Sequence, residues 1–182
     1  MKGVEQIMTG SPETAGKAQL DRWIKAIGQG DRDALEMLYC ATSSAVFAYA
    51  FSILKNPHDA EDVLHDCFVS IWNCARDYQS QGKPMAWIMI LTRNLCYKLL
   101  RQQRRTLSME TEYAFSRQDT DPEDALMLRA CMNALSDEER QIVVLHAVAG
   151  VRHRQIADLL GLKTSTVLSK YHRAIRKLRA RL

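Results

Sequence analysis

Histidine and cysteine residues early in the chain are the side chains whose types could hold a metal ion. His58, His65, Cys67 and Cys74 lie close together in the sequence, and both residue types bind zinc. Their spacing matches no zinc pattern, because residues two apart on a helix, such as His65 and Cys67, point to different sides. Cys67 and Cys74 are seven apart and could share a helix face. A metal enzyme is therefore the weaker hypothesis, and we expect cysteine to act as a small buried hydrophobe.

No other catalytic pattern occurs. Serine and histidine are frequent, but no nucleophile motif accompanies them, so we expect no catalytic activity, metal or other cofactor in the isolated chain. The five cysteines form no CxxC motif, which argues against a disulfide framework and fits a reducing cytoplasm. Residues 1–18 lack the apolar segment of a signal peptide. The mostly apolar stretch 45–54 is too short to span a bilayer, so no membrane insertion is expected.

The net charge of +4 is unevenly distributed along the 182 residues. Residues 107–140 carry nine acids and three Lys or Arg, whereas residues 141–182 carry nine Lys or Arg and one acid. A basic end that follows an acidic middle indicates two charged surfaces with different partners.

The stretch RQIADLLGLKTSTVLSKYHRAIRK, near the end of the chain, has the spacing of a helix-turn-helix. Ile156, Ala157 and Leu160 form the buried side of a short helix, and Gly161 permits the tight turn. The second helix has an apolar side and an opposite side of hydroxyls and cations, which suits DNA phosphates and base edges. The candidate DNA-binding residues are Lys163, Thr164, Ser165, Thr166, Ser169, Lys170, Arg173 and Lys177.

Helical periodicity extends over nearly the whole chain, with no convincing strand pattern. The predicted fold is all-α: two small helical domains joined by a flexible linker, the second containing the helix-turn-helix. The predicted segments are a flexible extension (1–18), a first domain (19–105), a linker (106–121) and a second domain (122–182). Local signals support the helix starts: Asp31 or Asp33 as a cap, Asn56 before Pro57, and Ser136 with Glu139 as a capping box.

Two strings of residues resemble a known family. GDRDALEMLY, NPHDAEDVLHDCFVSIW and GKPMAWIMILTRNLCYKLLRQQRR resemble the first conserved domain of extracytoplasmic-function (ECF) sigma factors of bacterial RNA polymerase. LSDEERQIVVLHAVAGVRHRQIADLLGLKTSTVLSKYHRAIRKLR resembles the second. The resemblance implies that 19–105 is sigma domain 2 and 122–182 is sigma domain 4. It also implies a protein that binds core polymerase, recognises the −10 and −35 promoter elements and promotes initiation.

The resemblance also assigns roles to residues. The acidic face of the helix that follows Pro57 would bind the polymerase β′ clamp helices, through Asp59, Glu61, Asp62 and Asp66. The loop 78–84 and the helix after it would capture the −10 strand, because a flipped base needs a stacking surface and a single strand needs cations. The −10 candidates are Tyr78, Lys83, Trp87, Arg93, Asn94, Arg101, Arg104 and Arg105. The expected partners are core polymerase (β′ clamp helices and β flap), promoter DNA and an anti-sigma factor.

The chain departs from the common family pattern at a few positions. Lys98 stands where the family commonly has an acid, and Leu168 and Lys170 replace two usual recognition-helix cations. Lys lacks the bidentate fork of Arg, so these differences bear on promoter preference. The alternative hypothesis is a LuxR-type helix-turn-helix regulator, whose DNA-binding module is similar. Such a regulator usually carries a sensing domain with parallel strands, which the first half does not predict.

Overall fold

The computed structural model describes residues 15–107 and 134–180, and the side chains of 106 and 107 lie outside that description. Its helices, in chain order, are α1 (Lys17–Ile27), α2 (Arg32–Leu54), α3 (Pro57–Cys74), α4 (Pro84–Leu107), α5 (Asp137–Val143), α6 (His153–Leu160) and α7 (Thr164–Arg179). A 3₁₀ turn (Ala75–Asp77) follows α3, and a π-helical turn (Val144–Val148) continues α5. The described residues contain no strand, so the all-α prediction is confirmed.

Local sequence signals set the helix ends. Asp31 caps α2 by accepting a hydrogen bond from the Ala34 amide at 3.0 Å. Lys55 ends that helix in the left-handed region, with φ 60°. Asn56 then caps α3 through the amides of His58 and Asp59, and Pro57 occupies the first helical position, where its missing N–H costs nothing.

Helix α2 lies at the centre of the first helical group. It packs against α1, α3 and α4, and Leu38, Val46 and Tyr49 are fully buried along it. Helices α3 and α4 contribute Ile71, Ile88 and Met89 to the same cluster, and α1 contributes Ile24. Helical periodicity predicts an apolar stripe on α3, at Ala60, Val63, Leu64, Cys67, Phe68, Ile71 and Ala75. All of these residues are buried except Leu64, which is partly buried, and Ala75 lies in the 3₁₀ turn.

Helix α2 is also long and apolar enough to cross a membrane, by length and composition alone. The length of the apolar stretch 45–54 did not indicate a helix of this length, because α2 extends beyond that stretch to 23 residues. A buried core helix passes the same test, and several helices cover α2 in this fold.

The second helical group begins with a capping box. Ser136 accepts from the Glu139 amide, and the Glu139 carboxylate accepts from the Ser136 amide, as predicted. Helices α6 and α7 form the helix-turn-helix, with Gly161 at φ 69° in the turn. Ile156 and Val167 are fully buried where the two helices meet. The pair Asp121–Pro122 predicts the start of a further helix that ends near Leu135. That segment lies almost entirely outside the residues that the structure describes.

The two groups pack against each other. α5 and its π-helical turn contact α2, and α6 contacts α4. Ile142 and Leu145 join the buried cluster that contains Leu38 and Val46. Lys55 also pairs with Asp137 across this contact, at 2.8 Å between Nζ and Oδ1. The two domains therefore share one core in this structure.

Candidate nucleic-acid interface

The loop 78–83 and the start of α4 form an aromatic and cationic surface. The rings of Tyr78 and Trp87 lie 4.8 Å apart and are tilted by 57°. Both side chains are half-buried, because they also pack against the main core cluster. Lys83 is exposed beside them. The predicted stacking residues are thus adjacent, and each has one face in the core.

A cavity of about 580 Å³ opens on this surface. One wall includes Tyr78, Lys83, Trp87 and Arg93 from the loop and α4. The opposite wall comes from α6, through Gln155, Asp158 and Leu159. Two rings and two cations in one concave site can hold a base and its phosphate, but helix α6 closes the site from the other side.

Further along α4, the predicted basic residues continue the same exposed side. Asn94, Arg101, Arg104 and Arg105 are all exposed. The sequence analysis missed Tyr97, which is 39% exposed and lies between Asn94 and Arg101. The Arg93 guanidinium lies 5.0 Å from the Tyr97 ring centre. Tyr97 thus adds an exposed ring to a run of cations.

Helix α7 presents one face to solvent. Among the predicted DNA contacts, Lys163, Thr164, Ser165, Ser169 and Arg173 are exposed, and Thr166 is half-buried. The same face includes residues that the sequence analysis did not select: Leu168, His172 and Arg176. Their i, i+3 and i, i+4 spacing from Thr164, Ser165, Ser169 and Arg173 could have identified them.

Two of the predicted DNA contacts on α7 lie next to acids of α5. Lys170 Nζ lies 2.7 Å from Glu138 Oε2, and Lys177 Nζ lies 2.6 Å from Glu139 Oε2. Both cations therefore pair with α5 in this structure. Lys170 and Lys177 lie three and four residues from Arg173 and so border the exposed face of α7, and their contact with DNA stays a prediction.

Acids line the outer side of α3. Glu61, Asp62 and Asp66 are exposed, and Asp59 is half-buried and accepts a hydrogen bond from Gln103 Nε2 at 3.1 Å. Asp62 and Asp66 also line a shallow cavity of about 320 Å³, together with His65 and Lys98. Asp59, Asp62 and Asp66 are three and four residues apart and so share one side of α3, with Asp59 tied to α4 at one end, whereas Glu61 is exposed on another side.

The histidines and cysteines that could hold a metal do not converge. Cys67 is buried and Cys74 is exposed, so the two thiols lie in different environments although they are seven residues apart on one helix. Burial raises the pKa of Cys67 to about 11, and its Sγ lies 3.4 Å from Thr92 Oγ1. Across residues 15–107 and 134–180, no three His, Cys, Asp or Glu side chains form a group that could bind a metal ion.

Comparison with known proteins identifies both halves of the chain. The family model Sigma-70 region 2 matches residues 38–106, and Sigma-70, region 4 matches residues 125–178. The ECF RNA polymerase sigma factor SigK of Mycobacterium ulcerans is 24% identical over 94% of this chain and 97% of its own length. The chain belongs to the ECF sigma factors. The resemblance read from the sequence is confirmed.

A further ECF sigma factor agrees in sequence, and two solved structures agree in fold. SigE of Mycolicibacterium smegmatis is 29% identical over 93% of this chain and 68% of its own length. CnrH, solved with the cytosolic domain of CnrY, superposes with a TM-score of 0.61 at 22% identity, over 89% of this chain and 96% of CnrH. RpoE of Bartonella quintana, solved with the anti-sigma factor NepR, superposes with a TM-score of 0.65 at 20% identity. The match covers 80% of this chain and 94% of RpoE.

A sigma factor is a transcription initiation factor, so the LuxR-type alternative is not favoured. That alternative rested on the helix-turn-helix alone, whereas the two family models match segments in both halves, in order. Helix α1 lies outside both matched segments, although it contacts α2 and α4. A family comparison therefore gives no role to α1, and its role has to be argued from its contacts.

Proposed function

We propose that this sigma factor reads the −10 element with the loop 78–83 and α4, and the −35 element with the exposed face of α7. The observation that carries the proposal is that the two matched regions each present a polar, cationic face. On α4 the face combines two rings with Arg93, Arg101 and Arg104, which suits unpaired bases and their phosphates. On α7 it combines hydroxyls with Arg173, which suits a duplex groove.

The proposed domain boundaries follow the sequence: sigma domain 2 at 19–105, a linker at 106–121 and sigma domain 4 at 122–182. Domain 2 would bind the β′ clamp helices of core polymerase through the acidic face of α3, and domain 4 would contact the β flap. Support comes from the exposure of Asp62 and Asp66, since exposed charge steers association and favours a basic partner.

An anti-sigma factor is the proposed regulator. CnrH and RpoE, which share the fold, were each solved with a partner chain, and the partner of RpoE is an anti-sigma factor. The proposed location is the cytoplasm, where the polymerase and the promoter are.

The experiment is run-off transcription with purified bacterial core polymerase and fragmented genomic DNA, with and without the protein. Discrete start sites that need the protein would support the proposal, and aligning them would give both promoter elements. A protein that binds DNA but never directs core polymerase to a start site would overturn it and restore the regulator hypothesis.

The α3 surface can be tested in the same assay. The double variant Asp62→Lys with Asp66→Lys reverses two charges on the proposed contact, so we expect roughly a tenfold or greater loss of affinity for core polymerase. The matched control is Glu36→Lys, a charge reversal at an exposed position on α2, which should stay within about twofold of wild type. Equal losses in both variants would mean that net charge, and not the α3 face, governs binding.

A further inference from the structure

The loop 78–83 is held by a carboxylate from α1. Tyr78 donates its hydroxyl hydrogen to Asp21 Oδ1 at 2.7 Å. The Ser80 hydroxyl lies 2.7 Å from Asp21 Oδ1 and 2.6 Å from Oδ2. Lys25 Nζ pairs with the same carboxylate at 3.2 Å. Within the described residues, the side-chain hydrogen bonds that join this loop to other elements all end on Asp21.

Asp21 is well placed to accept these bonds. Its side chain is only 15% exposed, and a charged acceptor makes stronger hydrogen bonds than a neutral one. Burial raises its pKa, but hydrogen bonds from Ser80, Tyr78 and Lys25 outweigh burial and leave the pKa below its ordinary value. The carboxylate is therefore ionised at neutral pH and can hold both hydroxyls at once.

The bond to Tyr78 fixes the ring that lines the cavity. Tyr78 contacts Trp87 on one side and borders the cavity with Lys83. A tyrosine held at its hydroxyl cannot turn away from Trp87 without losing a charged hydrogen bond. Ser80, two residues later, is held by the same carboxylate, so the first half of the loop has one anchor.

We propose that Asp21 is a positioning residue for −10 recognition, which fixes the loop 78–83 so that Tyr78 and Trp87 present one defined site to an unpaired base. The inference rests on the proposed function of that loop. It assigns a recognition role to α1, which lies outside the segment matched by the Sigma-70 region 2 model. Asp21 touches the loop and acts on DNA through it.

The test uses the full chain with core polymerase and a promoter library in which the −10 positions are randomised. For Asp21→Ala we expect discrimination at one −10 position to fall roughly tenfold, because a charged hydrogen-bond acceptor is lost, while the −35 preference stays unchanged. Asp21→Asn should rescue part of it, because its amide oxygen can still accept from Tyr78. The matched control, Arg22→Ala at the next, exposed position of α1, should behave as wild type.

A second set of variants separates positioning from folding. Tyr78→Phe with Ser80→Ala removes both donors and leaves Asp21 in place, so it should reproduce the loss. Adding Asp21→Ala should then reduce −10 discrimination little further, since the effects of substitutions within one hydrogen-bond network are not additive. Melting temperatures identify any variant that fails to fold.

Two outcomes would overturn the inference. One is an Asp21→Ala protein whose total activity falls while its −10 preferences stay intact. The other is a full additional loss when Asp21→Ala is added to the double variant. If instead the wild type directs no initiation at all, the proposed function fails, and the library distinguishes that case.

Discussion

At the scale of single residues, a cluster of aromatic and histidine rings joins the helix-turn-helix to the π-helical turn after α5. The rings of His146 and His153 lie 3.9 Å apart, and Tyr171 meets both edge-on at 4.8 and 5.0 Å. His146 Nδ1 lies 3.0 Å from the carbonyl oxygen of Val151. Two histidines in contact cannot both be charged without repulsion, so the contact with His146 disfavours the charged form of His153.

This cluster predicts that the protein loses stability in mild acid. Burial lowers the pKa of His153 below its ordinary 6.5, and the charges of His146 and His172 lower it further. The unfolded chain then takes up a proton before the folded one as the pH falls, so stability declines below about pH 6.5. We expect the melting temperature to fall by roughly 2–5 °C between pH 7 and pH 5.5, measured by circular dichroism.

The variant that checks the cause is His153→Asn, which removes the titrating group. Its melting temperature should change less over the same pH range than that of wild type. His58→Asn, at an exposed position on α3, is the matched control and should keep the wild-type pH response. If both variants respond to pH as wild type does, the acid sensitivity originates elsewhere.

At the scale of elements, two cations one turn apart on α7, Arg173 and Lys177, have different surroundings. Arg173 is exposed, whereas Lys177 pairs with Glu139, whose side chain is 3% exposed. Glu139 also accepts a hydrogen bond from the Ser136 amide at 3.0 Å. One cation is therefore free to meet a phosphate, and the other stabilises the contact between α7 and α5.

Substituting Arg173 should reduce DNA affinity, whereas substituting Lys177 should reduce the stability of the fold. Arg173→Ala should weaken duplex binding and reduce the slope of log affinity against log salt by about one, because one phosphate contact is lost. Lys177→Ala should leave affinity within about twofold but cost about 1–3 kcal/mol of unfolding free energy, because a buried carboxylate loses its partner. The measurements are fluorescence anisotropy at several salt concentrations and urea unfolding. Equal losses of DNA affinity in Arg173→Ala and Lys177→Ala would contradict the different roles of the two cations.

The elements that sequence could predict are those whose signals are local. Asn56 caps the helix that begins one residue later, and Ser136 with Glu139 closes a capping box within three residues. Helical periodicity likewise predicts the buried positions of α3, because these residues recur every three or four positions within one helix.

Contacts between distant segments were not predictable in this way. Asp21 and Tyr78 are 57 residues apart, and Glu139 and Lys177 are 38 apart. Gly28 shows the same limit: a Cβ there would lie 2.7 Å from the Ala75 carbonyl oxygen, so this glycine lets α1 approach the 3₁₀ turn before Tyr78. From the sequence alone, Gly28 and Gly30 predict only the end of a short helix.

At the scale of the whole molecule, the packing of the second helical group bears on the −10 site. Helix α6 supplies one wall of the cavity that Tyr78 and Trp87 line on the other side. Asp158 on that wall is an acid in a site whose opposite wall contains Lys83 and Arg93. A DNA strand would bring phosphates to the same cations, so we expect α6 to compete with the strand for this site.

Locking α6 in place should therefore block binding of single-stranded DNA. Cysteines at Gln81→Cys and Asp158→Cys would lie on opposite walls of the cavity, with Cys40, Cys74 and Cys131 replaced by serine and the buried Cys67 and Cys96 kept. A bis-maleimide reagent with an internal disulfide would then link the walls, because each cysteine thiol adds across the double bond of one maleimide. If nine molecules in ten are linked, apparent affinity for a −10 oligonucleotide should fall roughly tenfold.

Reduction of the linker gives the control within one sample, because it frees α6 without changing the sequence. Affinity should then return to that of the unlinked protein, measured by anisotropy before and after reduction. A protein with only Asp158→Cys, treated with the same reagent, corrects for modification of one wall. Linked protein that binds the oligonucleotide as tightly as the reduced protein would mean that the strand reaches Tyr78 and Trp87 with α6 in place, and that the packing of the two domains does not control access to the −10 site.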